Sequence, residues 1–525
     1  MAVRSLLIKS AKRGASEAYV AVNLEPLGLM QIAAFVRKYS AHMVSIIDAQ
    51  ADASCVTQTD DGAFRMGTPD VGLAQAIRDL APRVVGISAL FEVQQAEVLH
   101  LARLARAVVP EVLVVVGGLD AGVRYEEYLG SGCVDLVVRG EGEETFLDVL
   151  DRLDRGETLR GVPGTCERLD DGACRMNPPR VPQVPFDEYP YPDRESLPRA
   201  FYDDARTQGA SFPFAREQPA FLIQGSRGCK LRCAFCDIVA VHDEWNAHSP
   251  EYVVDEIQHC VERYGAREVV FVDDNFMLDQ RWAKRIFELV VARGIRVSLD
   301  VMAGVAVWTL SEKMIDLMIR AGVYRVCLPI ESGNPETLRF IKKPVNLDNA
   351  KAMIDYCNRQ GLYTVANLIL GFPFETAEDI RRTIEWGTSS GLDAVNYFIA
   401  TPLPGARMYP IYEENGWIER GEPPHVSWRT EHFTRTELES VAQEASDAYL
   451  TGRVRFYWDP RNALRYLVPK ISSPRHLRYA FRMARHTVPR RARTRLPAAT
   501  SRDDRVGRAP VAPGAVQERL RKVAT

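Results

Sequence analysis

The stretch RGCKLRCAFCD, residues 227–237, has a CxxxCxxC pattern directly after AFLIQGS, whose apolar run predicts a buried strand. The three cysteines are Cys229, Cys233 and Cys236. Three thiols suit three corners of a 4Fe-4S cubane and leave one iron open to chelate a small molecule. A structural zinc needs four ligands, and His242 and His248 lack the paired spacing of a zinc finger. The motif therefore favours an iron-sulfur cluster at a strand end.

The cysteine motif opens a series of β/α units over residues 219–405. The six predicted strands are AFLIQGS, EVVFVDDNF, RVSLDVMAG, YRVCLPIES, YTVANLILGFP and AVNYFIATPLPG, with amphipathic helices between them. Six units are fewer than the eight that close a full barrel, so we expect a partial parallel (β/α)6 barrel. Its functional residues should lie at the carboxyl ends of the strands, where the cysteine motif also falls.

The first 153 residues alternate strand and helix in the same way. Five short apolar runs, from SLLIKS to VDLVVRG, are separated by amphipathic segments. This order is typical of an α/β, Rossmann-like doubly wound sheet, whose ligand crevice lies outside the carboxyl ends of its strands. We expect an irregular connector rich in proline and glycine at residues 154–218, a helical C-terminal domain at 406–487, and a basic, disordered tail at 488–525.

The composition is that of a globular protein. Hydrophobic residues make up 46% of the chain and charged residues 26%, and the net charge of -3 argues against a nucleic-acid partner. The first apolar run ends at Lys9 and no run reaches ~18 apolar residues, so we expect a cytoplasmic protein without a membrane span. The other seven cysteines are scattered singly, as in a reducing compartment.

The C-terminal end differs in charge from the rest. Residues 475–525 contain 14 lysines and arginines against three acidic residues, a net charge of +11 in a chain whose total is -3. Leu477, Phe481, Ala484 and Val488 follow helical spacing among arginines, which suits two placements. One is a basic amphipathic helix on an anionic membrane surface. The other, which we favour, is a helix packed on the barrel and followed by a solvated tail.

CKLRCAFC, with an aromatic residue just before its last cysteine, resembles the signature loop of the radical S-adenosylmethionine (SAM) superfamily. The resemblance implies that Cys229, Cys233 and Cys236 hold a 4Fe-4S cluster, whose open iron binds the amino and carboxylate groups of SAM. It also implies that Phe235 lies beside the adenine. An external one-electron reductant, flavodoxin or ferredoxin, would reduce the cluster, and SAM would split into methionine and a 5'-deoxyadenosyl radical.

Other strand ends resemble further SAM contacts of this superfamily. The candidates are Asp273, Asp274 and Asn275 in FVDDNF for the amino group, Glu331 in LPIESG for the ribose, and Gly371 and Glu375 in NLILGFPFET for the adenine region. Asn367 stands where the family's GxIxGxxxE stretch has its first glycine, so this last contact carries over only in part. A carboxylate at the end of a buried strand has a high desolvation cost and needs a partner.

The N-terminal domain resembles the cobalamin-binding module that precedes the radical domain in one large branch of the superfamily. The resemblance rests on EPLGLMQIAAFVRKY and on three strand ends, GISALF, VVVGGLDAG and VVRGEGEETF. The candidate cobalamin contacts are Ser88, Leu90, Gly117, Gly118, Gly140, Glu141, Gly142 and Glu143. The DxHxxG loop that supplies a cobalt ligand in other cobalamin proteins is absent, and His42 begins a strand. Cobalamin is therefore expected to bind without a protein histidine.

The two cofactors together imply a class B radical SAM methyltransferase. The radical would activate an unactivated carbon, or phosphorus, of a small biosynthetic intermediate, and methylcobalamin would donate the methyl group, in natural-product (antibiotic) biosynthesis. IKKPVNL, residues 341–347, resembles the phosphonate-methylating branch. Arg339, Lys342 and Lys343 are candidates to hold an anionic substrate there, although a solvated helix end explains them equally well.

Two alternatives stay open at this stage. The same cofactors would serve a rearrangement, a cyclisation or an oxidation without methyl transfer. A non-enzymatic iron-sulfur or corrinoid carrier is disfavoured by the SAM-contact candidates Asp273, Glu331 and Glu375. No catalytic residue is assigned; Cys327 and Tyr324 are candidates to face the substrate, with simple packing as the alternative.

Overall fold

The structure is a computed structural model that describes residues 2–14, 24–51, 55–59, 64–203, 215–302, 304–420, 426–471 and 473–487. The predicted disordered tail at 488–525 lies outside these residues. Within these ranges, no helix combines the length and the apolar character needed to cross a bilayer.

The five predicted N-terminal strands form the parallel part of one sheet. The strands found among the described residues of this half are β1 (Arg4–Lys9), β2 (Lys12–Gly14), β3 (Met43–Asp48), β4 (Val56–Gln58), β5 (Phe64–Met66), β6 (Val84–Ser88), β7 (Leu113–Gly117), β8 (Leu136–Val138), β9 (Thr165–Arg168) and β10 (Cys174–Met176). The large sheet has the order β10-β9-β8-β7-β6-β1-β3, and the strands from β8 to β3 are parallel. Because β1 lies between β3 and β6, the ligand crevice falls at their carboxyl ends.

Helices cover both faces of this sheet. They are α1 (Leu27–Tyr39), α2 (Asp70–Leu80), α3 (Gln95–Val108), α4 (Leu119–Val123), α5 (Tyr125–Gly130) and α6 (Glu143–Arg155). In β7, Val114 and Val116 belong to the core shared with α2 and α3, and Val115 belongs to the core shared with α1 and α6. Successive strand residues point to opposite faces, so a sheet covered on both sides shows a continuous apolar run.

One departure lies in the segment predicted as an irregular connector. β9 and β10 form an antiparallel hairpin, and β9 extends the N-terminal sheet beside β8. The hairpin closes where Leu169 N–H donates to the carbonyl of Ala173 at 2.8 Å. The buried residues of β9 are Thr165, Cys166 and Glu167. This run is too short to show a periodic pattern. The prediction of an irregular stretch is wrong here, while the remaining domain boundaries stay predictions.

The second half contains the predicted partial barrel. Its strands are β11 (Ala220–Ile223), β12 (Ser226–Arg227), β13 (Asn246–Ala247), β14 (Glu268–Phe271), β15 (Ser298–Val301), β16 (Val323–Glu331), β17 (Tyr363–Leu370), β18 (Ala394–Ile399), β19 (Ile418–Arg420) and β20 (Val426–Trp428). Six of them form one parallel sheet in the order β11-β14-β15-β16-β17-β18. The helices are α7 (Arg199–Asp203), α8 (Pro250–Tyr264), α9 (Gln280–Ala292), α10 (Glu312–Arg320), α11 (Pro335–Phe340), α12 (Leu347–Arg359), α13 (Ala377–Ser389), α14 (Tyr409–Glu414), α15 (Arg435–Trp458), α16 (Pro460–Asn462) and α17 (Pro474–Thr487).

The C-terminal helices cover the barrel's edge and its lower end. Leu438 and Ala445 of α15 are buried in the barrel core next to the edge strand β18. Tyr479 of α17 is fully buried at the amino ends of the strands, where its hydroxyl accepts a hydrogen bond from Arg325 at 2.9 Å. Phe481, on the same helix, is 68% exposed. Helix α17 therefore contacts the barrel through Tyr479, while Leu477 and Phe481 of the predicted apolar face are exposed, and the choice between the two placements stays a prediction.

A buried arginine joins the two domains. Arg194, in the connector, donates to Glu25 at 3.1 Å and to Glu256 of α8 at 3.0 Å, and its side chain is 1% exposed. Glu25 precedes α1 of the N-terminal domain, so one guanidinium links both halves of the molecule. Removing one member of such a network leaves an uncompensated buried charge, which costs ~3–5 kcal/mol. These ion pairs therefore connect the start of α1 in the N-terminal domain to α8 of the barrel domain.

Candidate active site

The cysteine loop begins at the carboxyl end of β11 and is held between β12 and β13. β12 pairs with β13, and Gly228 has a positive φ of 78°. A Cβ at Gly228 would lie 1.9 Å from the carbonyl oxygen of Glu244, so only glycine fits. Cys229 and Cys233 are buried. Cys236 is half-buried.

Burial disfavours the ionised form of all three thiols. Burial raises the pKa of Cys236 to about 12 and also raises the pKa values of Cys229 and Cys233. The charge of Lys343 opposes this rise at Cys229 and Cys233. Cluster iron supplies the strong positive charge that a buried thiolate requires. No three described His, Cys, Asp or Glu side chains meet as a site for a single ion, and ligation of a cluster stays a prediction.

The end of β14 supplies unfilled acceptors next to the loop. Asp273 Oδ1 accepts from the backbone N–H and the hydroxyl of Ser226, at 2.5 and 2.6 Å, and Asp274 accepts from Gly228 N–H at 2.7 Å. Asn275 Nδ2 donates to Cys229 Sγ at 4.0 Å. Asp273 Oδ2 and Asn275 Oδ1 are buried without a hydrogen-bond partner among the residues that the structure describes. Such orphaned acceptors fit an ammonium group like that of SAM.

Burial sets the charge state of this acidic pair. It raises the pKa of Asp273 to about 7 despite the two hydrogen bonds from Ser226 that oppose the rise. Burial raises the pKa of Asp274 as well, against the hydrogen bond from Gly228. An ammonium beside Asp273 would reverse this effect, because a nearby positive charge favours the carboxylate.

Lys343, predicted from the sequence as a candidate substrate contact, pairs instead with the predicted ribose contact Glu331. Glu331, the last residue of β16, has a φ of 69° and accepts from Lys343 Nζ at 3.0 Å, with both side chains 7% exposed. The Lys343 ammonium also lies 5.9 Å from the ring centroids of Phe235 and Trp308. Burial lowers the pKa of Lys343, but the charges of Glu331 and Cys233 outweigh burial and raise it overall.

The three cationic candidates of the IKKPVNL region separate in space. Lys343 lies inside the site, Lys342 is exposed, and Arg339 is exposed and pairs with Glu336 at 3.6 Å. The adjacent residues Lys342 and Lys343 differ only in burial, which cannot be predicted from two identical residues in the sequence.

Glu375 holds a turn. Its Oε2 accepts from the N–H groups of Gly371 and Phe372 at 2.8 and 3.1 Å, and its Oε1 accepts from the Thr337 hydroxyl at 2.8 Å. Burial raises its pKa to about 7. Both oxygens therefore have protein donors, and the role of Glu375 is to position Gly371. A direct contact of either residue with SAM stays a prediction.

The predicted cobalamin contacts line the carboxyl edge of the N-terminal sheet. Ser88 and Gly117 face each other in register at the ends of β6 and β7, and Leu90 is 48% exposed just beyond. Gly118 has a φ of 116°, and a Cβ there would be 2.5 Å from the carbonyl oxygen of Ala89. Gly140 also has a positive φ, of 88°. These glycines let the backbone approach a large planar group closely, which fits a corrin.

Two predicted cobalamin contacts have another partner. Arg227, two residues before Cys229, pairs with Glu141 and, at 2.7 Å, with Glu143, both in the segment after β8. Burial disfavours the Arg227 charge, but the two carboxylates outweigh it and raise its pKa. The carboxyl ends of the two sheets thus meet at this arginine. Contacts of Glu141, Gly142 and Glu143 with cobalamin stay predictions.

The two catalytic candidates lie in different places. Tyr324 is the second residue of β16, at the closed lower end, where its hydroxyl donates to Glu268 at 2.8 Å. It is about 23 Å along the strand from Glu331 at ~3.3 Å per residue, so its prediction as a substrate contact is wrong. Cys327 lies midway and is buried; burial raises its pKa to about 12, and Glu331 contributes. Its role stays a prediction.

The fold and the site define a radical SAM protein with a cobalamin-binding domain ahead of its barrel. A family model described as radical SAM superfamily matches residues 223–387, and one described as B12 binding domain matches residues 18–150. The chain belongs to the radical SAM superfamily, in the branch that carries a B12-binding domain. The predicted family, the fold class and the cofactor set of 4Fe-4S cluster, SAM and cobalamin are thereby confirmed.

Several relatives are methyltransferases by name, and others, such as one of Rubrivivax gelatinosus that is 24% identical over 64% of this chain and 59% of its own length, are anaerobic magnesium-protoporphyrin IX monomethyl ester cyclases. An uncharacterised methyltransferase of Pyrococcus horikoshii is 29% identical over 84% of this chain and 91% of its own length. The cytidylyl-2-hydroxyethylphosphonate methyltransferase of Streptomyces wedmorensis is 28% identical over 76% of this chain and 79% of its own. The structure of the radical SAM methyltransferase TsrM from Kitasatospora setae, with cobalamin and a [4Fe-4S] cluster, has a TM-score of 0.65 at 17% identity and covers 81% of this chain and 76% of that one. These matches agree with the predicted enzyme class.

Proposed function

We propose that this protein is a cobalamin-dependent radical SAM methyltransferase that acts on carbon or phosphorus of a small molecule. The observation that carries the proposal is the meeting of the two carboxyl edges at Arg227, which is held by Glu141 and Glu143 and lies two residues from Cys229. A substrate between the two edges would be within reach of both cofactors, as a reaction that uses both requires.

When bound, the cluster with SAM supplies a hydrogen-abstracting radical and the corrinoid supplies the methyl group. The protein itself would bind and orient the cofactors and the substrate. Asp273 Oδ2 and Asn275 Oδ1 would accept hydrogen bonds from the SAM ammonium, and Glu331, fixed by Lys343, would accept from the ribose. Burial of these groups excludes water, which protects a reactive intermediate from side reactions.

Methylation of phosphorus is a variant of the proposal. The relative from Streptomyces wedmorensis acts, by its name, on a phosphonate. Lys342 and Arg339 are exposed, and Lys343 is paired with Glu331, so within the IKKPVNL region no unpaired cation faces the site. This arrangement favours carbon as the acceptor. A role in natural-product biosynthesis, a cytoplasmic location and an external one-electron reductant belong to the same proposal.

The test is anaerobic. The protein is reconstituted with cluster and cobalamin, then supplied with SAM, a reductant and extracts of small metabolites, and the products are separated by liquid chromatography. We expect 5'-deoxyadenosine and S-adenosylhomocysteine together, with a metabolite heavier by one methylene. 5'-Deoxyadenosine with a converted metabolite but without S-adenosylhomocysteine would favour rearrangement, cyclisation or oxidation instead.

A variant checks the assignment of the two domains. Cys233→Ala should abolish the cluster absorbance and SAM cleavage, because Cys233 lies in the loop of the barrel domain and not at the N-terminal sheet. Corrinoid binding, followed by its visible spectrum, should stay near that of the unchanged protein. Cys260→Ala, which removes a buried thiol of α8 outside the loop, is the control and should keep both cofactors. Loss of corrinoid together with the cluster would contradict two separate sites.

A further inference from the structure

The cysteine loop is covered on one side and open on the other. After the last cysteine, the carbonyl of Ala240 accepts a hydrogen bond from Arg139, and Val241 lies against Gly122 of the N-terminal domain. Before the first cysteine, Arg227 is held by the same domain. Between the first two cysteines, in contrast, Lys230 and Arg232 are exposed. A protein that donates electrons to the loop therefore has this side for its approach.

Two further cations flank the open side. Ala234, in the loop, donates through its N–H to the carbonyl of Ile341 at 3.2 Å and accepts from Met408 N–H at 2.9 Å. The next residue after Ile341 is Lys342, and the residue before Met408 is Arg407; both are exposed. We call the four side chains Lys230, Arg232, Lys342 and Arg407 the basic rim. All four lie within four residues of the loop position Ala234 or of its two hydrogen-bond partners.

The cations of the basic rim differ from other exposed cations in their ion pairing. None of its four side chains forms an ion pair with any residue in the part of the chain that the structure describes, and all four are exposed. Other exposed arginines of the barrel domain behave differently: Arg339 pairs with Glu336, and Arg382 pairs with Glu378. The chain as a whole carries a net charge of -3, so overall composition does not explain a positive surface around the loop. Unpaired surface cations favour an anionic partner.

We propose that the basic rim docks an acidic one-electron carrier protein, with a flavin or an iron-sulfur centre, against the cysteine loop. The inference rests on the proposed function, because it requires a cluster between the cysteines. Each productive encounter oxidises the carrier by one electron and delivers that electron to the cluster; no bond forms or breaks and no proton moves. Complementary charges act mainly on the association rate, which they raise ~10–10³-fold at low salt.

The test uses the cluster-loaded full chain and a purified acidic flavodoxin as the probe. One variant is Lys342→Gln/Arg407→Gln and a second is Lys230→Gln/Arg232→Gln, which reports on the loop itself. The control is Arg267→Gln/Arg296→Gln, which removes two exposed cations just before β14 and β15, at the opposite end of the barrel. Cluster absorbance after mixing with reduced flavodoxin gives the reduction rate in an anaerobic stopped-flow instrument, and iron analysis checks cluster content.

We expect each rim variant to be reduced about tenfold more slowly than the unchanged protein at low salt, and the difference to vanish near 1 M salt, where charges are screened beyond ~3 Å. The control should keep the original rate. Photoreduced deazaflavin, a small donor, should reduce every protein equally. Equal rates with flavodoxin for all proteins, or an equal loss in the control, would overturn the docking surface. Failure of deazaflavin to reduce the unchanged protein would overturn the proposed function and the inference with it.

Discussion

The two ends of the barrel both bury charged residues, but they do so differently. At the closed end, Glu268 accepts from Tyr324 and from Glu217 N–H at 2.8 Å each, and Asp300 accepts from Arg325 at 3.1 Å. At the open end, Asp273 Oδ2 and Asn275 Oδ1 are buried without partners among the described residues. Burial alone therefore does not mark a functional residue here. Carboxylate and amide oxygens left without donors distinguish the open end of the barrel from the closed end within the described residues, and a bound ligand group would satisfy them, because native proteins satisfy most buried polar groups.

The largest expected effect is at the closed end. Arg325→Met leaves Asp300 buried without its countercharge, which should lower the free energy of unfolding by ~3–5 kcal/mol. Urea denaturation measures it. Arg296→Met, at an exposed position near the same end, is the control and should stay within about 0.5 kcal/mol. A comparably small effect at both positions would contradict the view that the closed end is a structural charge network.

At the open end the expected loss is in binding. Asp273→Asn keeps an Oδ1 acceptor for Ser226 but replaces the orphaned oxygen with an N–H2 donor, which repels an ammonium. SAM should bind the cluster-loaded variant about tenfold more weakly, equivalent to ~1.4 kcal/mol, as measured by equilibrium dialysis. The free energy of unfolding should change little, since a buried charge disappears while the hydrogen bonds remain. Unchanged SAM affinity would remove Asp273 from the SAM site.

Adjacent lysines give a matched pair. Lys343→Met removes the partner of Glu331, so SAM affinity should fall roughly fivefold, or ~1 kcal/mol. Lys342→Met, at the exposed neighbouring position, should leave SAM affinity as it is. Equal effects of the two changes would show that general positive charge, and not the Lys343–Glu331 pair, supports binding.

The last expected effect is a pH dependence at the closed end. Burial, and next the charge of Asp300, raise the pKa of Glu268 from 4.5 to about 8. The folded state thus holds a proton that the unfolded state has lost between these values, so Glu268 lowers stability as pH rises from 4.5 to 8. In Glu268→Gln this contribution disappears, and its stability relative to the unchanged protein should rise with pH by at most ~1.4 kcal/mol per unit. A difference that is constant with pH would contradict the raised pKa.

Local patterns were enough to predict much of this molecule. The six barrel strands and the loop of Cys229, Cys233 and Cys236 follow from apolar runs and spacing, and the five N-terminal strands from the same signal. The hairpin of β9 and β10 could not be predicted because its strands have only four and three residues. Periodicity needs a longer run to show itself.

Side-chain pairing across the fold could not be predicted in this way. Arg227 meets Glu141 and Glu143 from more than 80 positions away in the chain, and Lys343 differs from Lys342 only by burial. The location of Tyr324 could not be predicted because β16 runs for nine residues from the closed end of the barrel to the open end. Only its last residue, Glu331, reaches the site. Residue type indicates what chemistry is available, and position along a strand determines where it is used.

The ion pairs of Arg227 with Glu141 and Glu143 have a thermodynamic consequence. The N-terminal segment that carries Glu141 and Glu143 is a candidate surface for cobalamin, and the residue that they hold is two positions from the first cysteine of the loop. Any shift of these carboxylates on corrinoid binding moves Arg227, and with it the loop that receives SAM. By linkage, whatever factor cobalamin imposes on the affinity for SAM, SAM imposes equally on the affinity for cobalamin. The order in which the two are loaded therefore cannot change the total free energy of the doubly loaded enzyme.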